Sequence, residues 1–296
     1  MHHYSQDISQ KSSGLLRLNL VLNDLAKSLQ NVVQGNTLTD PAFKSPQGGL
    51  MQFDYIVSNP PFNLDFSDYR ELLDSKERKQ IYFAGVPTIP KKKKDGMAIY
   101  LCFIQHVVAS LSGKGKAAIV VPSGFLTASA KSDKVAYGIR KGLVEKKWIR
   151  GVISMPSNIF GKTNTSVSVL IIDKTLTNDD SVVLIDATQL GHDEQVDGKK
   201  RHVISDEDEK LIVDTYKRRL TVDDFSIVTD YTALSECEYS YAAGRYFDVK
   251  IKHTPITNEE FQANLSNFVA ALQAASVRSG ELDKEIEKNL RRLIHG

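Results

Sequence analysis

The chain has 296 residues, about twice the ~150 of a typical domain, so one large domain with an appendage, or two domains, is expected. Apolar residues make up 41% and charged residues 25%, a balance that excludes a disordered chain, and no apolar run approaches the ~18 residues of a membrane span. Two cysteines, Cys102 and Cys237, exclude a disulfide framework or zinc ribbon, the start lacks the basic-then-apolar pattern of a secretory signal, and a net charge of +2 leaves nucleic acid open.

In chain order, Leu15, Leu18, Val21, Leu22, Leu25 and Leu29 fall on one helical face and predict a helix over 14–30. Val32 and Val33 read as a short strand before the Gly35-Asn36-Thr37 turn. Phe53 to Val57 is a compact strand that Pro60-Pro61 must end, because proline cannot donate to a sheet ladder. A helix is predicted over 97–111 and buried strands over 117–122, 151–155, 167–172 and 182–185, with a helix near 132–146. Alternating strands and helices argue for an α/β fold with a mostly parallel sheet covered on both faces and an antiparallel edge. Residues 206–219 look helical and 222–250 irregular. Thr257-Asn258-Glu259-Glu260 has the form of a capping box, opening a helix that Gly280 is expected to break into a hairpin. The expected organisation is a catalytic core over 1–190, an irregular and helical connection over 191–254, and a C-terminal helical hairpin for subunit docking over 255–296.

The chemistry-bearing string is Asn59-Pro60-Pro61-Phe62. Asn-Pro initiates turns and Pro-Pro stiffens them, so a rigid turn is one reading. Its place after a hydrophobic strand of an open α/β sheet, where such sheets bind ligands, favours a site. The asparagine side-chain oxygen and the Pro60 carbonyl are two acceptors that can converge on one NH₂ group, and Phe62 offers a flat apolar face for a heterocycle. Such a pocket suits an exocyclic amine on an aromatic base. Two acceptors can draw that weakly nucleophilic nitrogen toward a tetrahedral geometry and take up its developing positive charge. A base within a duplex would have to be flipped out to reach it.

With these residues the chain resembles the modification (M) subunit of type I restriction–modification systems, the Asn-Pro-Pro-Phe family that methylates adenine N6 in DNA. Tyr4-Ser5-Gln6-Asp7 is similar to the family's Tyr-Gly-Gln-Glu, Leu18-Asn19-Leu20 to Met-Asn-Leu, and Gly35-Asn36-Thr37-Leu38 to Gly-Asp-Thr-Leu. Gly115 to Gly124, Pro156 to Thr163 and Tyr239 to Tyr246 match further family blocks in the same order. The resemblance implies a Rossmann-like methyltransferase sheet and S-adenosylmethionine as cofactor. It implies that Asp7 holds the ribose hydroxyls, with Asn36 and Thr37 near the adenine. Asn59, Pro60, Pro61 and Phe62 become the catalytic motif, and Phe160 a second aromatic against the substrate base, though a core phenylalanine is the plainer reading. Lys91, Lys92, Lys93 and Lys94 lie where family members approach DNA phosphate; a solvated run is the alternative. Implied partners are double-stranded DNA, the specificity (S) and restriction (R) subunits and a second M subunit, in the bacterial cytoplasm and away from membrane.

The family also has an N-terminal helical domain and an Asp-Pro-x-x-Gly-x-Gly loop upstream of Tyr-Gly-Gln-Glu, and no Gly-x-Gly substitute follows here. The expectation is therefore an M subunit incomplete at its N-terminal strand, whose cofactor binding requires an upstream polypeptide. Non-catalytic binding to the specificity subunit or DNA, and methylation of RNA or protein, are the competing readings. No close histidine spacing suggests a metal, and His106 reads as structural.

Overall fold

The computed structural model describes residues 2–91, 94–159, 165–175, 181–196, 199–247 and 257–295. The elements are β1 (Ser5–Asp7), α1 (Gln10–Leu22), β2 (Val32–Gln34), β3 (Phe53–Ser58), α2 (Arg70–Leu73), α3 (Tyr100–Ser110), β4 (Leu111–Pro122), α4 (Lys134–Glu145), β5 (Ile149–Ser154), β6 (Val167–Asp173), β7 (Ser181–Asp186), β8 (His192–Val196), β9 (Lys199–Val203), α5 (Asp206–Arg218), β10 (Ser226–Asp230), α6 (Tyr231–Glu236) and α7 (Asn258–His295). Residues Met1–Phe247 form one compact unit and Asp248–Gly296 a second. No helix among the described residues is long and apolar enough to cross a membrane.

The main sheet has six strands in the order β10-β7-β5-β6-β4-β3, and β1 and β2 form a separate parallel pair. β3 and β4 are parallel, as a crossover through helices dictates. The mostly parallel sheet expected from the sequence is instead mixed. No helix lies between β5 and β6 among the described residues, and the short connection turns β6 back antiparallel to β5, inserting it between β5 and β4 rather than at an edge. β10 supplies the antiparallel edge, pairing with β7. It lies with α6 inside the stretch that reads as irregular, where strand and helix are too short to show a period.

Alternation along the strands sends side chains to two faces. Ala117, Ile119 and Val121 of β4, Leu170 and Ile172 of β6, and Val182 and Leu184 of β7 join the buried faces of α3 and α4 in the main core. On the opposite face α5 brings Ile212 and Tyr216 onto Val183, Ile185 and Ile153. At the mouth of the β3–β4 pair, a Cβ on Gly115 would stand 2.8 Å from the Phe53 carbonyl oxygen and 2.9 Å from the Ser112 nitrogen. Both are backbone atoms, next to the register shift between Phe53 and Tyr55. Gly115→Ala should therefore destabilise by about 1–3 kcal/mol in urea unfolding, and parental stability would show that this mouth is pliable.

Two helical expectations change. The 14–30 pattern becomes α1 ending at Leu22, followed by a 3-10 turn over Ala26–Asn31. Its anticipated inner face is bare, with Leu15, Leu18 and Leu22 exposed, while Ser13 and Leu20 are the buried positions. In the C-terminal unit, Thr257 and Glu260 make the reciprocal capping bonds, the Glu260 N–H to Thr257 Oγ1 at 3.2 Å and the Thr257 N–H to Glu260 Oε2 at 3.0 Å. The helix then runs unbroken through Gly280, so the hairpin is one 38-residue helix. A single glycine costs only ~1 kcal/mol, which the strong helix formers around it outweigh.

Cys102 and His106 are among the core groups whose pKa values burial displaces. Burial pushes the Cys102 thiol up to about 12, leaving it an inert core group. Burial, with the Arg78 charge adding to it, pulls His106 down to about 4, and its Nδ1 has no partner among the described residues. The folded chain keeps His106 neutral while the unfolded chain protonates it near pH 6.5, so stability is complete above that value and falls as pH drops toward 4. At ~1.4 kcal/mol per pH unit the total loss is about 3 kcal/mol. Urea unfolding at pH 7 and 4.5 should show this loss shrinking in His106→Leu; an unchanged difference would place the acid sensitivity elsewhere.

Candidate active site

β3 ends at Ser58, paired with Ile119, and the proline pair carries the chain away from the sheet. Pro60 is buried, Asn59 is exposed and Phe62 is half-buried. The Phe62 ring stands edge-on to Tyr100 at 6.2 Å between centroids, Tyr100 meets Phe125 at 6.1 Å, and Phe125 meets Tyr241 at 6.4 Å. One edge of Phe62 is thus seated on an aromatic row from the core. The Asn59 side-chain amide makes no hydrogen bond among the described residues, so its oxygen and nitrogen are available to a ligand. The loop beyond is pinned by the Leu64 N–H to the Met97 carbonyl at 3.1 Å and packs into a small core with Phe66, Leu73, Tyr82 and Met97.

The β1–β2 pair brings the three candidate cofactor residues to one end. Asp7 lies opposite Gln34, and the Gly35 N–H donates to the Asp7 carbonyl at 3.0 Å. Asp7 Oδ1 accepts from the Ser9 N–H at 2.7 Å, which orients the exposed carboxylate and leaves its second oxygen open. Asn36 Oδ1 is occupied differently from what a ligand role needs: it accepts from the Leu38 and Thr39 N–H groups at 3.0 and 3.3 Å, closing the turn on itself. Only its NH₂ remains to face outward. The Thr37 hydroxyl donates to the Gln6 carbonyl at 3.1 Å.

Sequence reading missed the residues that hold these loops. Arg78 donates to the Leu38 carbonyl and, at 2.6 Å, to that of Thr39, tying the Asn36 turn to the segment after the motif. Gln6 braces the same region, donating to the Asp40 carbonyl at 2.8 Å and accepting from the Ala42 N–H at 2.9 Å. Arg140 is 1% exposed and its guanidinium donates to the carbonyls of Tyr239, Phe125 and Ala128 at 2.8, 2.5 and 2.5 Å. It lies over the rings of Phe125, Tyr137 and Tyr241, and the Tyr241 hydroxyl donates back to the Arg140 carbonyl at 2.9 Å. The Tyr239–Tyr246 block is thereby fastened beneath the aromatic row that ends at Phe62. A signal existed: Arg140 lies within the Ala136, Ile139, Leu143 stripe, where a solvated arginine does not belong.

Phe160, Lys92 and Lys93 lie outside the described residues. Lys91 and Lys94 are exposed, and Lys94 adds to the pull of the Ser67 N–H and hydroxyl that holds the Asp65 carboxyl below its ordinary range, so it stands near the loop that follows the motif. Among the described residues no group of three His, Cys, Asp or Glu side chains could hold a metal.

The exposed Asn59 beyond the end of β3 and the exposed Asp7 at the end of β1 lie past the carboxyl ends of strands, where open α/β sheets bind ligands. The chain belongs to the N-6 DNA Methylase family, whose model matches residues 1–254. It is 28% identical over 251 residues to the type I restriction enzyme MpnII methylase subunit of Mycoplasma pneumoniae, covering 82% of this chain and 43% of that protein. The HindI methylase subunit of Haemophilus influenzae is 25% identical over 258 residues, covering 84% and 53%. The type I methyltransferase subunit of Streptococcus thermophilus shares the fold with a TM-score of 0.67 at 24% identity, covering 84% of this chain and 48% of that one. The chain thus spans about half the length of these relatives.

Proposed function

We propose that the chain is the M subunit, or the C-terminal part of it, of a type I restriction–modification system, and that it methylates adenine N6 in DNA. The observation that carries this is the unengaged Asn59 amide beside a Phe62 seated on Tyr100, at the tip of β3 in a member of the N-6 DNA Methylase family. A flipped adenine would stack on Phe62, and its amino hydrogens would be accepted by Asn59 Oδ1 and the Pro60 carbonyl. Those acceptors hold the nitrogen lone pair toward the electrophile and stabilise the charge that develops on it.

S-adenosylmethionine, when bound, supplies the methyl group. The residues present fit its adenosine end: Asp7 offers an oriented carboxylate for the ribose diol, and the Asn36 NH₂ and the Thr37 turn border the place of the base. Among the described residues no glycine-rich turn fits its other end, so these 296 residues by themselves should bind the cofactor weakly. Lys91 to Lys94 would contact phosphate, giving salt-dependent DNA binding. α7 would dock the specificity subunit through Phe261, Leu265, Phe268 and Leu272, all exposed.

The test is methyl transfer from labelled cofactor by the chain co-expressed with the upstream segment of a relative and a specificity subunit. DNA, RNA and protein are offered separately, and the product is identified as N6-methyldeoxyadenosine after digestion. Label in RNA or protein would reassign the substrate. No transfer from a complex that binds cofactor would leave a non-catalytic binding role.

A further inference from the structure

We infer that His202 is a proton-operated clasp that holds the β8–β9 hairpin down on the rim of the sheet that carries Asn59. The inference goes beyond the methyltransferase reading and does not rest on it.

β3 and β4 run parallel, β6 runs antiparallel to both β4 and β5, and β7 is parallel to β5. The carboxyl ends of β3 and β7 therefore lie along one rim, with Ser58 at the first and Asp186 at the second. β8 and β9 follow Asp186 and lead into α5, forming a two-stranded sheet of their own. Two strands alone are marginal in water, so this hairpin needs a fastening to the body.

The register places His202 of β9 opposite Asp193 of β8. The His202 side chain is 20% exposed, and each ring nitrogen meets an acceptor. Nε2 lies 2.7 Å from the Leu190 carbonyl oxygen, and Nδ1 lies 2.9 Å from Asp193 Oδ1. A carbonyl and a carboxylate oxygen can only accept, so both nitrogens must donate. The imidazolium does this, whereas the neutral ring would turn a lone pair on one partner. Leu190 belongs to the loop between β7 and β8, so its bond ties the hairpin to that loop. The approach is close. Gly191 has φ +85°, and a Cβ there would stand 2.5 Å from the Val203 carbonyl oxygen and 2.7 Å from His202 Nε2.

The surrounding charges favour the proton. The Leu190 carbonyl and then Asp193 hold the His202 pKa above its ordinary value against the burial that opposes them, and Asp208 at the start of α5 adds to their pull. The Asp208 carboxylate also accepts from the Gly191 N–H and, at 2.9 Å, from the Ser205 hydroxyl, which joins the loop to the helix. His192 of β8 is paired with Glu194 at 2.7 Å, and Arg201 of β9 stands opposite Glu194 in the register. The folded chain thus holds the His202 proton more tightly than the unfolded chain does. The clasp is complete below about pH 6.5 and is lost as pH rises through the elevated value.

The test is NMR of the 296-residue chain between about pH 6 and 8.5, a range in which folded His106 stays neutral. The His202 ring, assigned through its own backbone, should titrate above about 6.5. Protection factors of the β8–β9 amides should fall over the same range, by about tenfold for each unit that this midpoint exceeds the ordinary value. His202→Gln keeps a donor but does not titrate, so it should make the protection independent of pH, whereas His192→Gln should leave the parental dependence. A His202 midpoint at or below about 6.5, protection that ignores pH, or a dependence that survives His202→Gln each overturns the clasp. If His202→Gln does not fold, the agreement between the parent's two measurements decides. Neither measurement needs methyl transfer, so the clasp and the methyltransferase reading fail separately.

Discussion

Replacing Arg140 with methionine is expected to cost roughly 3–5 kcal/mol of unfolding free energy, the largest loss of any single side chain considered. Methionine fills much of the same volume and keeps the apolar stem, so the change isolates the guanidinium. Without it the carbonyls of Phe125, Ala128 and Tyr239 lose the donor they share, at positions that water reaches poorly because Arg140 itself is 1% exposed. The rings of Phe125, Tyr137 and Tyr241 also lose a cation held about 6 Å from their centroids. Burial lowers the Arg140 pKa, but the group remains charged, because a guanidinium starts far above neutrality. At roughly 2–4 °C per kcal/mol for a unit of this size, the thermal midpoint should fall by about 10 °C. Lysine, a point charge without the fork, should satisfy one carbonyl or two and lie between. A methionine variant within about 1 kcal/mol of the parent would show that the three carbonyls find other donors, and the clamp would not exist.

That clamp separates what the sequence discloses from what it conceals. The long apolar runs of β4, β6 and β7 were legible because buried strands leave a continuous signature, and the Pro60-Pro61 stop fixed the end of β3. The motif was legible as a string at that tip and not as a site, since a rigid turn reads the same way. Strand order was not: β6 and β7 look alike in sequence, and only the missing helix hinted that one must turn back. The 14–30 stripe misled for a different reason. Amphipathicity reports that a helix has a face to cover, not that the cover is present, and Leu15, Leu18 and Leu22 are exposed. Asn36 shows the opposite limit: its place in the motif suggests a ligand contact without showing that its oxygen is spent within its own turn, which leaves only the NH₂ for one. Braces such as Gln6 and Arg78 act on backbone carbonyls 30 to 40 residues away, and carbonyls carry no sequence signal.

Asn59→Ala should abolish most methyl transfer in the reconstituted complex while leaving the fold alone. Its side chain is exposed and makes no hydrogen bond among the described residues, so unfolding should shift by less than about 0.5 kcal/mol. The rate is another matter. Removing one preorganised partner of developing charge costs on the order of 10²–10³ in kcat, and here the Pro60 carbonyl would remain as the lone acceptor. The loss should fall on kcat rather than KM, because the proposed stacking on Phe62 and the proposed phosphate contacts would bind the ground state and survive the change. Phe62→Ala should do the reverse in part, weakening flipped-base binding, while Phe62→Tyr keeps the ring seated on Tyr100 and retains most activity. Asn59→Asp keeps an acceptor oxygen at the same position but adds a charge, so it tests acceptor geometry against amide identity. If Asn59→Ala transfers methyl within a few-fold of the parent, the amine is not held by this residue, and the tip of β3 is only a turn.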